Sequence, residues 1–516
     1  MVIGNIERLS DVTKLSAHVT RVLGQNPGMM TLQGTNSYLL QPPSNPHAPL
    51  ILIDTSSPHT ATQYIDLLFT HLHHLALESG VRETHFESAH AQASLKNLPE
   101  DEVDEIKASI VAQRAENPRS EEMELLEYGP GSKWVPPPTS HNNLGKERKL
   151  PSIEHIILTH RHLDHVGALP LLLTTLKKHG CSQPKIWKFP SPDETILATS
   201  PNEKERSTSD SEIWKSLPTP QNNINKDNKD KDKEPFFHSF SLFQPFHPII
   251  PGLMISIIDP NYKHLLKHDK DGKAKWNEVP EIARVSLRCL RTPGHTQDSI
   301  SLVMLEGEKG VFTGDTVLGQ GTTQFTDLAS YVTSLRTLLA LKPNVLYPAH
   351  GPHISNAAAC KKHLETYISH RQEREEQIIC IFKDLSDPET SFVDILIELK
   401  RICHTRAEKE NKARGPLMAD KKKPVPMPDF EEEKLSLEKA EKEGNRGKSI
   451  PMSVLCRLIY KSEDEKLLFA AAKSVGAHLV KLGKEGKVKK GIAKWAKLVE
   501  KEVGDLGNME TWEYVG

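Results

Sequence analysis

Residues 159–168 read THRHLDHVGA and place His160, His162, Asp164 and His165, four metal-capable side chains, within six positions. Upstream, LPSIEHIILTH carries Ile153, Ile156, Ile157 and Leu158, an apolar run that predicts a buried strand ending at the cluster. Downstream, VGALPLLLTTLKKHG predicts an amphipathic helix opened by Gly167. A short strand-to-helix loop between rigid flanks can aim several imidazoles at one point. His160 and His162 stand two apart, so on extended backbone they face the same way. Asp164 and His165 follow where the chain turns and can address a neighbouring position. Imidazole and carboxylate both suit zinc. The competing reading is a polar loop in a chain that holds 25 histidines, and the rest of the sequence decides between them.

A length of 516 residues predicts two domains plus insertions. A formal net charge of −2 excludes wholesale nucleic-acid affinity, so any such binding needs a local patch. The six cysteines (Cys181, Cys289, Cys360, Cys380, Cys403 and Cys456) are scattered without a CxxC pair. They predict reduced thiols in an intracellular protein and no disulfide framework. No apolar run reaches transmembrane length, so no membrane partner is expected. MVIGNIERLSDVTKLSAH lacks a signal-peptide core and includes Glu7 and Asp11. A cytoplasmic location is the expectation, with a mitochondrial address left open.

Three further residues arrive at matching places. His295 lies in a glycine-containing loop after the strand-like SLRCL, Asp315 ends KGVFTGD, and His350 ends NVLYPAHG. Loops after strands at one edge of a sheet layer are where sites on layered α/β scaffolds assemble. Asp54 ends LILID and either orients a ligand or caps the following turn. Thr35 and Asn36, in the GTNS turn, are expected near the mouth of the site. His71, His73 and His74 sit within a helical pattern (61–80) without a carboxylate and read as surface or packing residues.

Seven groups exceed one tetrahedral zinc and suit two metals sharing a carboxylate. His160, His162 and His295 are assigned to one, Asp164, His165 and His350 to the other, and Asp315 bridges. The expected cofactors are therefore two Zn2+.

HRHLDH, with TPGH, FTGD and PAHG, resembles the metallo-β-lactamase superfamily, and NPGMMTLQGTNSYLL, GDTVLGQGTT and YISHRQEREEQI resemble its beta-lactamase-like protein 2 family, which includes endoribonucleases. The resemblance implies an α/β fold, an αββα sandwich with a dinuclear zinc site at the edge between its sheets. It covers roughly residues 19–60, 151–180, 284–385 and 391–490, interrupted by three insertions that the family's compact members lack. Ala168 and Ser56 stand where glycine is common in the corresponding motifs.

The domain expectation is 1–385 for this fold, with insertions at about 84–150 and 191–236. The first insertion holds a possible helix in EDEVDEIKASIVAQRAEN. The second contains QNNINKDNKDKDKEP, whose low complexity predicts disorder. Residues 386–500, interrupted at about 401–449, predict a winged-helix-like module: helix, turn, long helix, then the basic GKEGKVKK. Residues 501–516 are taken as a tail. Between 473 and 497, Lys473, Lys481, Lys484, Lys487, Lys489, Lys490, Lys494 and Lys497 face Glu485 alone, a patch suited to phosphates or simply a solvated face. Trp495 is the one aromatic among them.

The resulting expectation is a zinc-dependent hydrolase, an endoribonuclease that cleaves single-stranded RNA phosphodiesters by metal-activated water, with Asp164 and Asp315 as catalytic carboxylates. Two alternatives stand beside it: a thioesterase or other acyl hydrolase of the same fold, and an RNA-binding protein with a non-catalytic metal site.

Overall fold

The structure, a computed structural model, describes residues 9–28, 30–76, 150–191, 206–217, 236–241, 245–270, 272, 274–387, 393–402, 434–435, 438–439, 449–462, 465–492 and 510–515. The helix expected in EDEVDEIKASIVAQRAEN, the low-complexity run QNNINKDNKDKDKEP, nearly all of the 401–449 insertion, Cys403, Lys494, Trp495 and Lys497 lie outside the described residues.

The chain divides into two compact units, Met1–Thr323 with Ser334–Leu364, and Gln324–Thr333 with Glu365–Gly516. The first unit holds two sheets. One runs β1 (Val12–Lys14), β2 (Val19–Leu23), β3 (Asn36–Leu40), β4 (Leu50–Ile53), β5 (Ile153–Leu158), β6 (Lys185–Lys188) and β7 (His247–Pro248), in that spatial order. Its first four strands form an antiparallel meander and its last four are parallel. The other comprises β8 (Met254–Ile258), β9 (Arg284–Arg291), β10 (Ile300–Met304), β11 (Val311–Gly314), β12 (Val345–Pro348) and β13 (Ile354–Ser355), in the order β13-β12-β11-β10-β9-β8.

The apolar runs are continuous because both faces of the first sheet are covered. Successive side chains point to opposite faces. Ile51, Ile53 and Ile157 enter the core between the sheets, where Leu287, Ile300, Leu302 and Phe312 of the second sheet meet them. Leu50, Leu52, Ile156 and Leu158 face the other way, into a core shared with helices Ala61–Ala76 and Leu169–Lys178. The parallel β11/β12 pair requires a crossover, and helix Leu328–Ala340 supplies it. The layers are those of an αββα sandwich. At about 1.5–3 kcal/mol per fully buried Leu, Ile or Phe side chain, these two cores make the strand ends a rigid base for loops.

His71 and His74 are buried on the helix Ala61–Ala76, and His73 packs edge-on against His179 at 5.7 Å between ring centroids, as packing residues do. Upstream of QNNINKDNKDKDKEP, the expected insertion at 191–236 contains ordered structure that the sequence reading did not anticipate. Residues 206–217 include the helix Asp210–Ser216, opened by a Ser209–Glu212 capping box, and Ile213 and Leu217 join the outer core. The S-x-x-E signature before Ile213 is a sequence signal for that helix start.

The second unit holds helices Met452–Tyr460 and Glu465–Lys484 and an antiparallel sheet of β14 (Ser449–Pro451), β15 (Val488–Lys490) and β16 (Thr511–Tyr514), ordered β14-β16-β15. It is a winged-helix arrangement. Two expected boundaries change. Ile378, Phe382 and Leu385 of the helix Ala357–Ser386 pack into this unit's core, so the unit begins within that helix and not after it. Residues 511–514 are no tail: they form the middle strand, with Trp512 in the core. Four residues after a charged segment are too few to show strand periodicity. Among the described residues, no helix is long and apolar enough to cross a membrane.

Candidate metal centre

All seven sequence-predicted ligands are brought together. β5 ends one residue before Thr159, which delivers His160. His162 is the N-cap of a one-turn helix, Leu163–Val166, that presents Asp164 and His165. His295 follows β9, Asp315 follows β11, and His350 follows β12. Among the described residues two groups could each hold a metal ion: His160, His162, His295 and Asp315, and beside it Asp164, His165 and His350. The carboxylate of Asp315 joins them. Its Oδ2 lies 3.4 Å from His295 Nε2 and 3.9 Å from His160 Nε2, while its Oδ1 lies 3.2 Å from His350 Nε2 and 3.6 Å from His165 Nε2.

The donor chemistry fits cations. His162 Nδ1 lies 3.0 Å from His160 Nε2 and 2.9 Å from His295 Nε2. A ring nitrogen carries one proton or one lone pair, so it satisfies one of these neighbours by hydrogen bonding and not both. His165 Nε2 and Asp315 Oδ1 are buried without a hydrogen-bond partner among the described residues. Buried polar atoms left unpaired are costly, and a cation at the convergence point relieves both.

The surroundings fix which nitrogen each ring offers. Asp54 Oδ2 accepts from His165 Nδ1 at 2.9 Å and from the Thr159 hydroxyl at 2.7 Å, and Asp54 Oδ1 accepts from Thr159 N at 2.7 Å. With its proton given to Asp54, the Thr159 oxygen accepts from His160 Nδ1 at 3.0 Å. His350 Nδ1 faces the carbonyl of Gly34 at 3.3 Å. In each ring Nδ1 is the donor to a fixed acceptor, which leaves Nε2 as the atom that faces the centre. Asp54 therefore orients a ligand, which resolves its open role. Asp54 holds a left-handed backbone, φ +57, a conformation aspartate tolerates better than most residues. Gly314 has φ +52, and a Cβ there would stand 3.1 Å from Thr159 Oγ1, so the GD turn needs its glycine.

Thr35 and Asn36 are buried behind His350 and do not stand at the mouth of the site. Thr35 bridges to His350, and the Asn36 amide donates to the carbonyls of Pro348 at 2.9 Å and Gly351 at 2.7 Å. They hold the loop that carries His350. Ser56 and Ala168 are both buried, and Ala168 N donates to Ser56 O at 2.7 Å, so the two departures from glycine meet each other. The sequence reading missed Thr159 and the Gly34 carbonyl. Thr159 could have been found from its place between the strand and His160; a backbone carbonyl leaves no residue-type signal.

Charge at the centre is unevenly held. Burial and the neighbouring imidazoles of His165 and His162 keep the His160 pKa well below its ordinary value. Burial opposes the His350 proton, but Asp315 and Asp164 outweigh it and push its pKa up to about 9. His165 is raised likewise, burial being outweighed by Asp164, Asp315 and Asp54. For Asp164, burial is overcome by His165 and His350, which hold the carboxyl well below its usual range. Its side chain is 15% exposed, whereas those of His165, His350 and Asp315 are 0%, 1% and 7% exposed. The site opens to solvent beside Asp164.

A metallo-beta-lactamase superfamily model matches residues 137–249 and 279–350, and a beta-lactamase associated winged helix domain matches 453–495. Over its ligand-bearing segments the chain is similar to the metallo-beta-lactamase superfamily. That likeness, the two groups of metal-capable side chains and the match to an associated winged helix point to a metal-dependent hydrolase as the class to test. It is 27% identical over 380 residues to the beta-lactamase-like protein 2 homolog of Caenorhabditis elegans, covering 74% of this chain and 76% of the relative. Identity to the Drosophila melanogaster homolog is 25% over 386 residues, 75% of this chain and 80% of the relative. A shorter likeness, 35% over 108 residues, links 21% of this chain to 33% of an atrochrysone carboxyl ACP thioesterase from Aspergillus fumigatus.

Two outcomes follow. Asp54→Ala removes the acceptor that fixes His165 and Thr159, and metal affinity measured by competition with a chromophoric chelator falls about 10–100-fold; an unchanged affinity would contradict the orienting role. Because His350 titrates near 9 and the His165 pKa is raised likewise by its carboxylate neighbours, coordination must displace protons from this pair. Metal uptake then releases protons at pH 7, and affinity climbs with pH towards 9. Calorimetry in buffers of different ionisation enthalpy measures this, and zero proton release would contradict it.

Proposed function

We propose that the protein is a dinuclear zinc hydrolase that cleaves single-stranded RNA as an endoribonuclease. The observation that carries the reading is the placement of two ligand groups on the two oxygens of one buried carboxylate, Asp315. His160, His162 and His295 would hold one ion, and Asp164, His165 and His350 the other. Zinc bound there would supply Lewis acidity suited to hydrolysis of a phosphodiester.

The protein's own groups set the direction of the chemistry. Asp164 is ionised and lies on the open side, placed to accept a proton from the attacking water. Asp315, held ionised by His350 and His165 against its burial, keeps the two histidine sets in register. The buried Nε2 atoms are aimed before any substrate arrives, so little reorganisation accompanies reaction.

RNA is favoured over other esters by the family resemblance and by a winged-helix unit in the same chain. The lysine patch supports it less than its sequence suggests. Lys481 pairs with Glu375 and Glu485, each at 2.6 Å, Lys487 with Glu485 at 2.9 Å, Lys489 with Glu513 at 3.8 Å, and Lys490 with Glu510. Glu375, Glu510 and Glu513 are distant in sequence, so the count of lysines against Glu485 alone overstated the local charge. A second reading, hydrolysis of acyl thioesters, is favoured by the stretch shared with the fungal ACP thioesterase.

Labelled single-stranded RNA, incubated with full-length protein with and without chelator, tests the proposal. Cleavage should stop with chelator. Asp164→Ala should slow cleavage about 10²-fold or more while leaving RNA binding within a few-fold. Faster hydrolysis of an acyl thioester than of RNA would establish the second reading. RNA binding with no chelator-sensitive cleavage of either substrate would make the metal centre non-catalytic.

A further inference from the structure

Lys188 is one of the largest fully buried side chains among the described residues. It ends β6, beside the strand that delivers His160. Its ammonium lies 2.7 Å from Asp298 Oδ2 and 2.7 Å from Asp210 Oδ1, and donates to the carbonyl of Phe189 at 3.2 Å. The Lys188 and Asp298 side chains are each 1% exposed, and that of Asp210 is 27% exposed. A charge removed from water at such cost persists where it fixes geometry.

Each carboxylate belongs to a segment that holds part of the first ligand group. Asp298 stands three residues after His295, in a loop closed on itself. Thr292 N donates to Ser299 O at 2.9 Å, Gly294 N to Thr296 O at 3.0 Å, and Thr296 N to Ser299 Oγ at 3.1 Å. Asp210 opens the helix Asp210–Ser216, and its other oxygen accepts from Ser191 N at 2.9 Å. The residues just before that helix reach the metal loop: Thr208 N donates to the carbonyl of Arg161 at 3.1 Å, and Ser207 forms a backbone bridge with His162. Arg161, buried between the two histidines, adds a second cation near Asp298. Two carboxylates and two cations thus balance around one junction.

We propose that Lys188 is a positioning residue, whose ammonium fastens the loop bearing His295 to the 206–210 segment that braces His160 and His162. The three imidazoles of the first group come from two loops remote in sequence, and the Lys188 junction ties those loops together away from the metal. The second group has its own support, Asp54 for His165 and Gly34 with Asn36 for His350. Loss of the junction therefore acts on one group and spares the other.

The proposal rests on the reading of both groups as metal sites, and its test uses metal binding and no turnover. Lys188→Met would leave Asp298 buried without its cation and can prevent folding, so the informative variant is Asp210→Asn in the full-length protein. It removes the charge from the segment side of the junction at a partly exposed position. Zinc and cobalt(II) binding, the visible absorption of the cobalt protein and the thermal midpoint are measured together. One equivalent is expected to weaken about 10–100-fold with an altered cobalt spectrum, and the other to bind as in the wild type. Wild-type binding of both equivalents, or equal weakening of both, would overturn the positioning role, whatever the thermal midpoint does. Wild-type protein that binds fewer than two equivalents would count instead against the two-metal reading itself.

Discussion

One buried carboxylate organises the centre. Asp315 offers Oδ2 to His295 and His160 and Oδ1 to His350 and His165, so among the described residues it joins both ligand groups through separate oxygens. The position of that carboxylate depends on the turn before it. Gly314 adopts a left-handed backbone close against Thr159, and Thr159 is the residue through which Asp54 reaches His160. Displacement of Asp315 would therefore separate the groups, and displacement of Gly314 would disturb the hydrogen bonds that set two of the rings. Two sheets with apolar side chains on alternating faces supply the rigid strand ends on which this small geometry is built.

The convergence of the seven side chains was legible because they are chemically distinctive and follow apolar runs at recognisable spacing. His160, His162, Asp164 and His165 announce themselves within one loop, and His295, Asp315 and His350 each end or follow a strand-like run. The supports were less legible. Lys188 and Asp298 are 110 residues apart, and a lysine at a strand end reads as solvated until the fold buries it. Thr35 and Asn36 were placed at the wrong depth because a GTNS turn carries turn chemistry, while its distance from solvent depends on the sheet that covers it. The helix Asp210–Ser216 was missed for a different reason. The low-complexity stretch of the 191–236 segment dominated the composition and masked a capping box only a dozen residues away.

The second unit shows the same limit. Local pattern gave its two helices and the basic turn, but strand β16 consists of four residues and gains its identity from pairing with both β14 and β15. Charge read along the chain was misleading there as well. The acids that meet Lys481, Lys489 and Lys490 come from positions 375, 513 and 510, and only the folded chain brings them together. Side-chain chemistry that is local in sequence survives translation into structure; electrostatics assembled across the fold does not.

We propose that Asp315 lies between two metal ions, and a crystal structure grown with zinc tests this most directly. The account predicts two anomalous-difference peaks at the zinc edge, about 3.5–4 Å apart, flanking the Asp315 carboxylate. A single peak, or two peaks that leave Asp315 outside the pair, would contradict it.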